Sequence, residues 1–435
     1  MHHATTRVHA PRPAELTHRP TLALPCRSVT GSSGPHDVSR HPAVGFLGTY
    51  PPTACGIATF TKALREAIAE VRGSSSGLGV VSLEADRNMS QPPEVVYQHS
   101  ASESGSLKQA IRTLNTMDVA VIQHEYGIFG GPDGIEVLDF VDSLDIPVVV
   151  TLHTVPRDPT APQRFILERL VRDADRTVVL SQSALDQLRD RYEVDETKLV
   201  VIPHGADARL GTPASNVNSR PVMLSWGLIG PGKGLETAIE AMAALKDLRP
   251  LPRYIILGAT HPKVYAAHGD AYLHGLMDRV TTLGLEDIVE FRNQYVDLET
   301  QIDAVRHADL IVIPYDSTEQ VVSGVLIEAI AAGKPVVATS FLHAIEMLSN
   351  GAGLVVPPTD PALMAGAFRT VLCDPVRADH MAAVSRSMSE AVFWPTVATT
   401  YDELISSLNA EHAAAIDLTE PSHPRVNVPR VATAG

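Results

Sequence analysis

Residues 317–339, STEQVVSGVLIEAIAAGKPVVAT, set a single carboxylate, Glu328, just behind a small-residue turn at Ser323 and Gly324. The apolar run ADLIVIPYDS ahead of the turn reads as a strand. The residues from Gly324 on read as a short helix, and PVVAT as a further strand. Strand, loop, helix and strand in that order aim backbone N–H groups and a helix N-terminus at an anion lying beyond the strand ends. Glu328 is then placed to hold a sugar or ribose hydroxyl. A second segment, SWGLIGPGKGLETAIEAM, has Gly227, Gly230, Gly232 and Gly234 after the strand VMLSW, with Lys233 just before a helix. Amides, helix dipole and ammonium together make a diphosphate site. It is not a Walker loop, because the GK[ST] ending is missing.

Three earlier segments carry further candidates. In TYPPTACGIATF two prolines stiffen a loop, Gly56 frees the backbone and a helix starts at Ile57, so amides can face a phosphate or an acceptor. Cys55 has no cysteine nearby to pair with, and taken alone the segment reads first as a plain tight turn. HEYGIFGGPDG sets His124 and Glu125 at a strand end before a glycine-rich loop, a sugar-recognition edge. Neighbouring strand residues point to opposite faces, so both line one pocket only if the strand has ended. PVVVTLHTV puts His153 at another strand tip, either as a capped loop histidine or facing a ligand. VIPHGAD, with His204, reads as a hinge turn made by Pro203 and Gly205. The metal-binding spacing HExxH is absent.

The elements that must position these groups follow from periodicity. Strand-like runs without polar alternation (AVGFLGTY, GVVSLEA, VAVIQHEY, PVVVTLHT, RTVVLS, KLVVIPHG) alternate with helical stretches, as in parallel sheets covered on both faces. LGTPASNVNSR, residues 210–220, breaks the pattern as a linker. A second series then follows: VMLSWG, RYIILGA, DIVEFRN, DLIVIPY, PVVATS and GLVVPP. With 435 residues, 44% hydrophobic and 5% aromatic, the chain suits two layered α/β domains. Formal net charge is −15, which argues against a nucleic-acid binder. Three scattered cysteines imply no disulfide framework, and a reducing cytoplasm fits. No apolar run reaches membrane-spanning length, though peripheral contact with a membrane surface stays open.

Order and spacing of these motifs over residues 43–409 resemble the retaining glycosyltransferases of group 1, or family 4. Their fold is α/β, two facing Rossmann-like doubly wound parallel-sheet domains with a cleft between them (GT-B). Residues 1–40, rich in His, Pro, Ser, Thr and Arg and without periodicity, read as a disordered leader. The resemblance implies an acceptor domain 41–212 and a nucleotide-sugar domain 213–390. A helix 391–410 crosses back to the first domain, and a disordered tail 411–435 follows. It further implies transfer of a hexose, mannose or glucose, from a nucleoside-diphosphate sugar to a carbohydrate or lipid-linked hydroxyl, without cofactor or metal. Catalytic roles fall to His153, Lys233 and Glu328. The donor contacts are Gly56, Gly227, Gly230, Gly232, Gly234, Gln320, Ser323, Gly324 and Val325, while His124 and Glu125 edge the acceptor side. Four positions depart from the family. Cys55 takes the place of the first of two adjacent glycines in the family's loop, and His204 that of the asparagine common in its IPNGVD segment. Leu228 replaces the arginine of its GRLxxxKG segment, and Gln320 the first of two acids eight positions apart, of which Glu328 is the second. These losses motivate an alternative, a catalytically weak or regulatory nucleotide-sugar binder. A nicotinamide dehydrogenase is disfavoured, because GxGxxG does not follow the first strand.

Overall fold

The computed structural model describes residues 41–83, 91–212, 214 and 219–419. The leader 1–40, the residues beyond 419 and most of the stretch 213–218 lie outside them, as do the expectations placed there. Runs such as VGFLG, VAVIQH and VVVTL are buried residue after residue, the signature of strands covered on both faces. They build a seven-stranded parallel sheet of β1 (Val44–Gly48), β2 (Leu78–Leu83), β3 (Val95–His99), β4 (Val119–His124), β5 (Val148–Leu152), β6 (Arg176–Val179) and β7 (Leu199–Val201). Its order is β3-β2-β1-β4-β5-β6-β7. A six-stranded parallel sheet comprises β8 (Val222–Trp226), β9 (Arg253–Leu257), β10 (Val289–Arg292), β11 (Leu310–Ile313), β12 (Val336–Thr339) and β13 (Gly353–Val356). Its order is β10-β9-β8-β11-β12-β13. Both sheets are therefore doubly wound, and the expected pair of Rossmann-like layers is present.

In each sheet the order reverses beside its first strand, at the β1–β4 and β8–β11 pairs. Crossover helices diverge there, leaving a crevice past the strand ends where ligands bind in such sheets. The two sheets belong to one compact unit. Helix Trp394–Thr419 joins them by packing Val397, Ala398, Tyr401 and Ile405 against Phe60, Leu64 and Ile68 of the helix Gly56–Arg72. Arg72 Nε donates to Asp402 at 2.7 Å, and Tyr401 Oη lies 3.1 Å from Thr151 Oγ1.

Three elements depart from the sequence reading. The terminal helix runs on to Thr419, past the boundary drawn at 410, because Ala413, Ala414 and Ala415 are strong helix formers. Arg176 also pairs with Glu411 at 2.9 Å. Strand β3, VVYQH, lies at the sheet edge and is only part buried, so it lacks the apolar continuity that marks its neighbours. Helix Pro375–Val392, capped by Asp374 accepting from Arg377 N at 3.0 Å, was also not anticipated.

Candidate active site

The second sheet brings its glycine loop and the Glu328 helix to one crevice. Gly234 has φ 63°, and an added Cβ there would overlap the Pro314 carbonyl oxygen. Only glycine lets the helix Leu235–Met242 start flush against the end of β11. Asp316 N donates to Gly232 O at 3.1 Å and fastens the same corner. Gly227 (φ 113°) and Gly232 (φ 86°) have open space on their Cβ sides, which leaves backbone available to a ligand. Lys233 holds Nζ 4.5 Å from the centre of the Tyr315 ring, a cation–π contact that orients the ammonium. A narrow pocket is lined by Trp226, Gly227, Leu228, Lys233, Tyr315 and Val325 among others. Gly230 lies beneath Val264 rather than facing that space.

Glu328 Oε2 accepts from Trp226 Nε1 at 2.8 Å and from Gln301 Nε2 at 2.9 Å. Burial pushes its pKa up to about 7, against the pull of these two donors and with a small push from Asp207. Ser323 caps the helix Gly324–Ala331 by accepting from Leu326 N at 3.3 Å. As at any helix start, the amides of Gly324 and Val325 have no carbonyl within the helix to bond. Ser323 N donates to His343 Nδ1 at 2.9 Å, and His343 N to Gln320 O at 3.2 Å. The Gln320 amide donates to Val322 O at 2.7 Å, so it braces its own turn.

On the first sheet, His153 Nε2 lies 2.8 Å from Gln123 Oε1. With Gln123 accepting, Nε2 carries the ring proton and Nδ1 keeps its lone pair. Burial, helped by His204 and His124, lowers the His153 pKa to about 3, so the ring is neutral. Cys55 is a helix cap, its sulfur accepting from Ala58 N at 3.4 Å beside Thr49 Oγ1 at 3.2 Å. Gly56 follows as the first residue of that helix, with open space around it. Glu125 accepts from Thr154 Oγ1 at 2.5 Å and Tyr126 N at 3.0 Å.

His124 corrects the sequence reading. β4 continues through it, so strand parity turns its ring into the core, 0% exposed between Tyr126 and Phe129. Among the described residues neither ring nitrogen has a hydrogen-bond partner, and burial lowers its pKa to about 3. It is not part of a sugar edge. The glycine loop behind it is pinned instead by Glu136, whose Oε2 accepts from Gly130 N at 3.0 Å and lies 3.1 Å from His99 Nε2. His99 Nδ1 is in turn 3.1 Å from Ser106 Oγ. Serine, histidine and glutamate suggest a hydrolytic triad, but Ser106 and His99 are each 2% exposed, and the group serves as a strut.

The two halves meet at the start of the Glu328 helix. Ser181 Oγ donates to Val321 O at 2.6 Å, and Val321, 4% exposed, joins the core of the first half. Glu346 accepts from Gln182 N at 3.0 Å and Ser183 N at 2.8 Å. His204 Nε2 lies 3.0 Å from where a Cβ on Gly324 would stand. Phe60 contacts the rings of both His153 and His204 edge-on, at 4.7 and 5.0 Å. His153, Ser323 and Gly324 thus converge, with Lys233 and Val325 lining the adjoining pocket and Glu328 bonded to Trp226 in its wall. Among the described residues no group of three or more His, Cys, Asp or Glu is arranged to hold a metal, and no helix is long and apolar enough to cross a membrane. Trp226, Gln301, His343 and Gln123 gave no signal in sequence.

Residues 213–388 match the family model of glycosyl transferases group 1, and residues 56–210 that of glycosyltransferase family 4. The D-inositol 3-phosphate glycosyltransferase of Kineococcus radiotolerans is 30% identical over 311 residues, 63% of this chain and 69% of that protein. The chain belongs to the group 1, family 4 glycosyltransferases. Solved structures with the same fold include Anabaena HepE in complex with UDP, at 18% identity and TM-score 0.67, covering 84% of this glycosyltransferase and 99% of that chain. Sucrose-phosphate synthase from Thermosynechococcus elongatus matches at 20% identity and TM-score 0.68 over 86% and 100%. Lys233, Ser323, Gly324 and Glu328 fall inside the group 1 match of this glycosyltransferase, and His153 and His204 inside the family 4 match.

Proposed function

We propose that this glycosyltransferase moves a hexose, mannose or glucose, from a nucleoside-diphosphate sugar to a hydroxyl of a carbohydrate or lipid-linked acceptor, retaining the anomeric configuration and using no metal. One arrangement carries the reading: Lys233, the open glycine loop and the start of the helix Gly324–Ala331 border one pocket, with the Glu328 carboxylate behind it. The diphosphate lies on Lys233 and the amides, and the ribose hydroxyls reach Glu328. The neutral His153 ring approaches the sugar from the first half, where it steadies positive charge at the anomeric carbon without the repulsion of a cation. Loops 50–57, 125–134 and 153–157 present the acceptor. Contact between the halves excludes water and limits donor hydrolysis. A UDP complex and a UDP–glucose complex of HepE support the donor class, and the relative's name supports a hydroxyl acceptor. Placement at the inner face of a membrane, in the cytoplasm, suits a lipid-linked acceptor.

Leu228 in the pocket lining and the inward-turned Gln320 amide favour a second reading, a weak or regulatory nucleotide-sugar binder. Calorimetry and turnover with UDP-glucose, GDP-mannose and ADP-glucose, with and without EDTA, separate the two. We expect one donor to bind and be consumed at the same rate in EDTA, with NMR of the product showing retention. Binding without transfer or donor hydrolysis favours the regulatory reading. Turnover that vanishes in EDTA and returns with magnesium or manganese overturns the metal-free mechanism.

A further inference from the structure

We infer that His204 is a specificity-determining residue of this glycosyltransferase, its Nε2 accepting a hydroxyl of the donor sugar at the start of the helix Gly324–Ala331. The inference rests on the donor site proposed above. His204 Nδ1 lies 2.7 Å from Gly205 O. A carbonyl oxygen only accepts, so Nδ1 carries the ring proton and, in a neutral ring, Nε2 is left as a lone pair. Burial lowers the pKa of this ring to about 4. Nε2 therefore offers an acceptor and nothing else, 3.0 Å from the Cβ position of Gly324. No hydrogen bond to it forms among the described residues. Any side chain at residue 324 would meet the imidazole, so glycine keeps this mouth open.

The hinge does not need this ring. Gly205 makes the turn, since an added Cβ there would run into the Trp394 ring. Ala206 N donates to Val392 O at 2.7 Å, and Trp394 N to Ala206 O at 2.9 Å. These are backbone features, and the family's usual asparagine at this place would leave them intact. What histidine adds is reach and a fixed polarity. Asparagine carries both a donor and an acceptor, whereas neutral His204 presents only the acceptor. Phosphate oxygens above their pKa also only accept, so the matching partner is a hydroxyl rather than the diphosphate. Phe60 sets the His204 and His153 rings side by side, and His153 is the residue that approaches the same sugar.

The test compares His204→Ala, His204→Asn and His204→Gln by calorimetry with UDP and UDP-glucose, and with GDP and GDP-mannose, alongside melting temperatures. Affinity for the free nucleotide should stay within about twofold of the starting protein. Affinity for the preferred nucleotide sugar should fall about tenfold in His204→Ala, the scale of one lost hydrogen bond. His204→Gln, which can return an acceptor oxygen, should recover part of it. Equal losses for nucleotide and nucleotide sugar overturn the inference in favour of a phosphate or structural role. Unchanged affinities with a lowered melting temperature leave His204 a hinge residue only and overturn it too. If the unaltered protein binds nucleotides but no nucleotide sugar, the donor reading itself fails and takes the inference with it.

Discussion

Lys233→Ala should cut turnover on the order of 100-fold or more while weakening donor binding far less, the effect of removing one preorganised donor from a developing anion. Negative charge grows on the diphosphate as the sugar departs, so a cation held there acts mainly in the transition state. Lys233 is held, with Nζ over the Tyr315 ring. It has few substitutes. Leu228 stands where the family has an arginine, and Lys334 donates to Arg306 O at 2.6 Å from the N-terminal side of β12, the wrong end of the sheet. Arg292 pairs with Glu290 at 2.7 Å on the edge strand β10. Neither therefore stands at the glycine loop in this arrangement. Lys233→Arg should regain part of the rate, because the charge returns in a different geometry. Steady-state kcat and KM for donor are the measurements, and near-normal turnover in Lys233→Ala would place the phosphates elsewhere.

Glu328→Ala should lower donor affinity by roughly 1.5–3 kcal/mol, about 10- to 150-fold, the range for a charge-assisted hydrogen bond. Oε2 is engaged by Trp226 and Gln301, which leaves Oε1 for a ribose hydroxyl. The same carboxyl gives stability a pH dependence. Its pKa rises from 4.5 to about 7 in the folded protein, so between those values the folded state keeps a proton that the unfolded chain has lost. Stability from this group is thus present at pH 4.5 and is lost as pH rises through 7, by about 3 kcal/mol in all. Glu328→Gln removes that slope. Thermal melts between pH 5 and 8 should show the variant gaining on the unaltered protein as pH rises, and parallel profiles would contradict the shift. Unchanged donor affinity by calorimetry would remove Glu328 from the site.

What could be read from sequence was whatever burial or backbone geometry writes locally. β4 and β5 stood out because every residue is buried, and β3 did not because an edge strand is only part buried and carries polar residues. Gly234 and the Ser323–Gly324 turn were legible since a tight chain reversal demands small residues. His124 was misjudged because the sequence does not show whether the chain is still a strand at that residue, and strand parity decides which face a side chain takes. Trp226 and Gln301 lie 75 residues apart and meet on Glu328 only after folding. His204 read as part of a hinge because its contact with Gly324 exists only where the two halves meet, which no local pattern encodes.

Val321 sits in the hydrophobic core of the half opposite its own, just two residues before the serine that caps the Glu328 helix. Parting the halves must lift that side chain into water, on the order of 2 kcal/mol, and strip Glu346 from the amides it holds. The resting molecule is therefore weighted toward its shut form, and a substrate enters through a minority of open molecules. Once inside, it is retained by the same bias. The tempo of the catalytic cycle is then expected to follow how often this joint releases spent nucleotide rather than how fast the glycosidic bond forms.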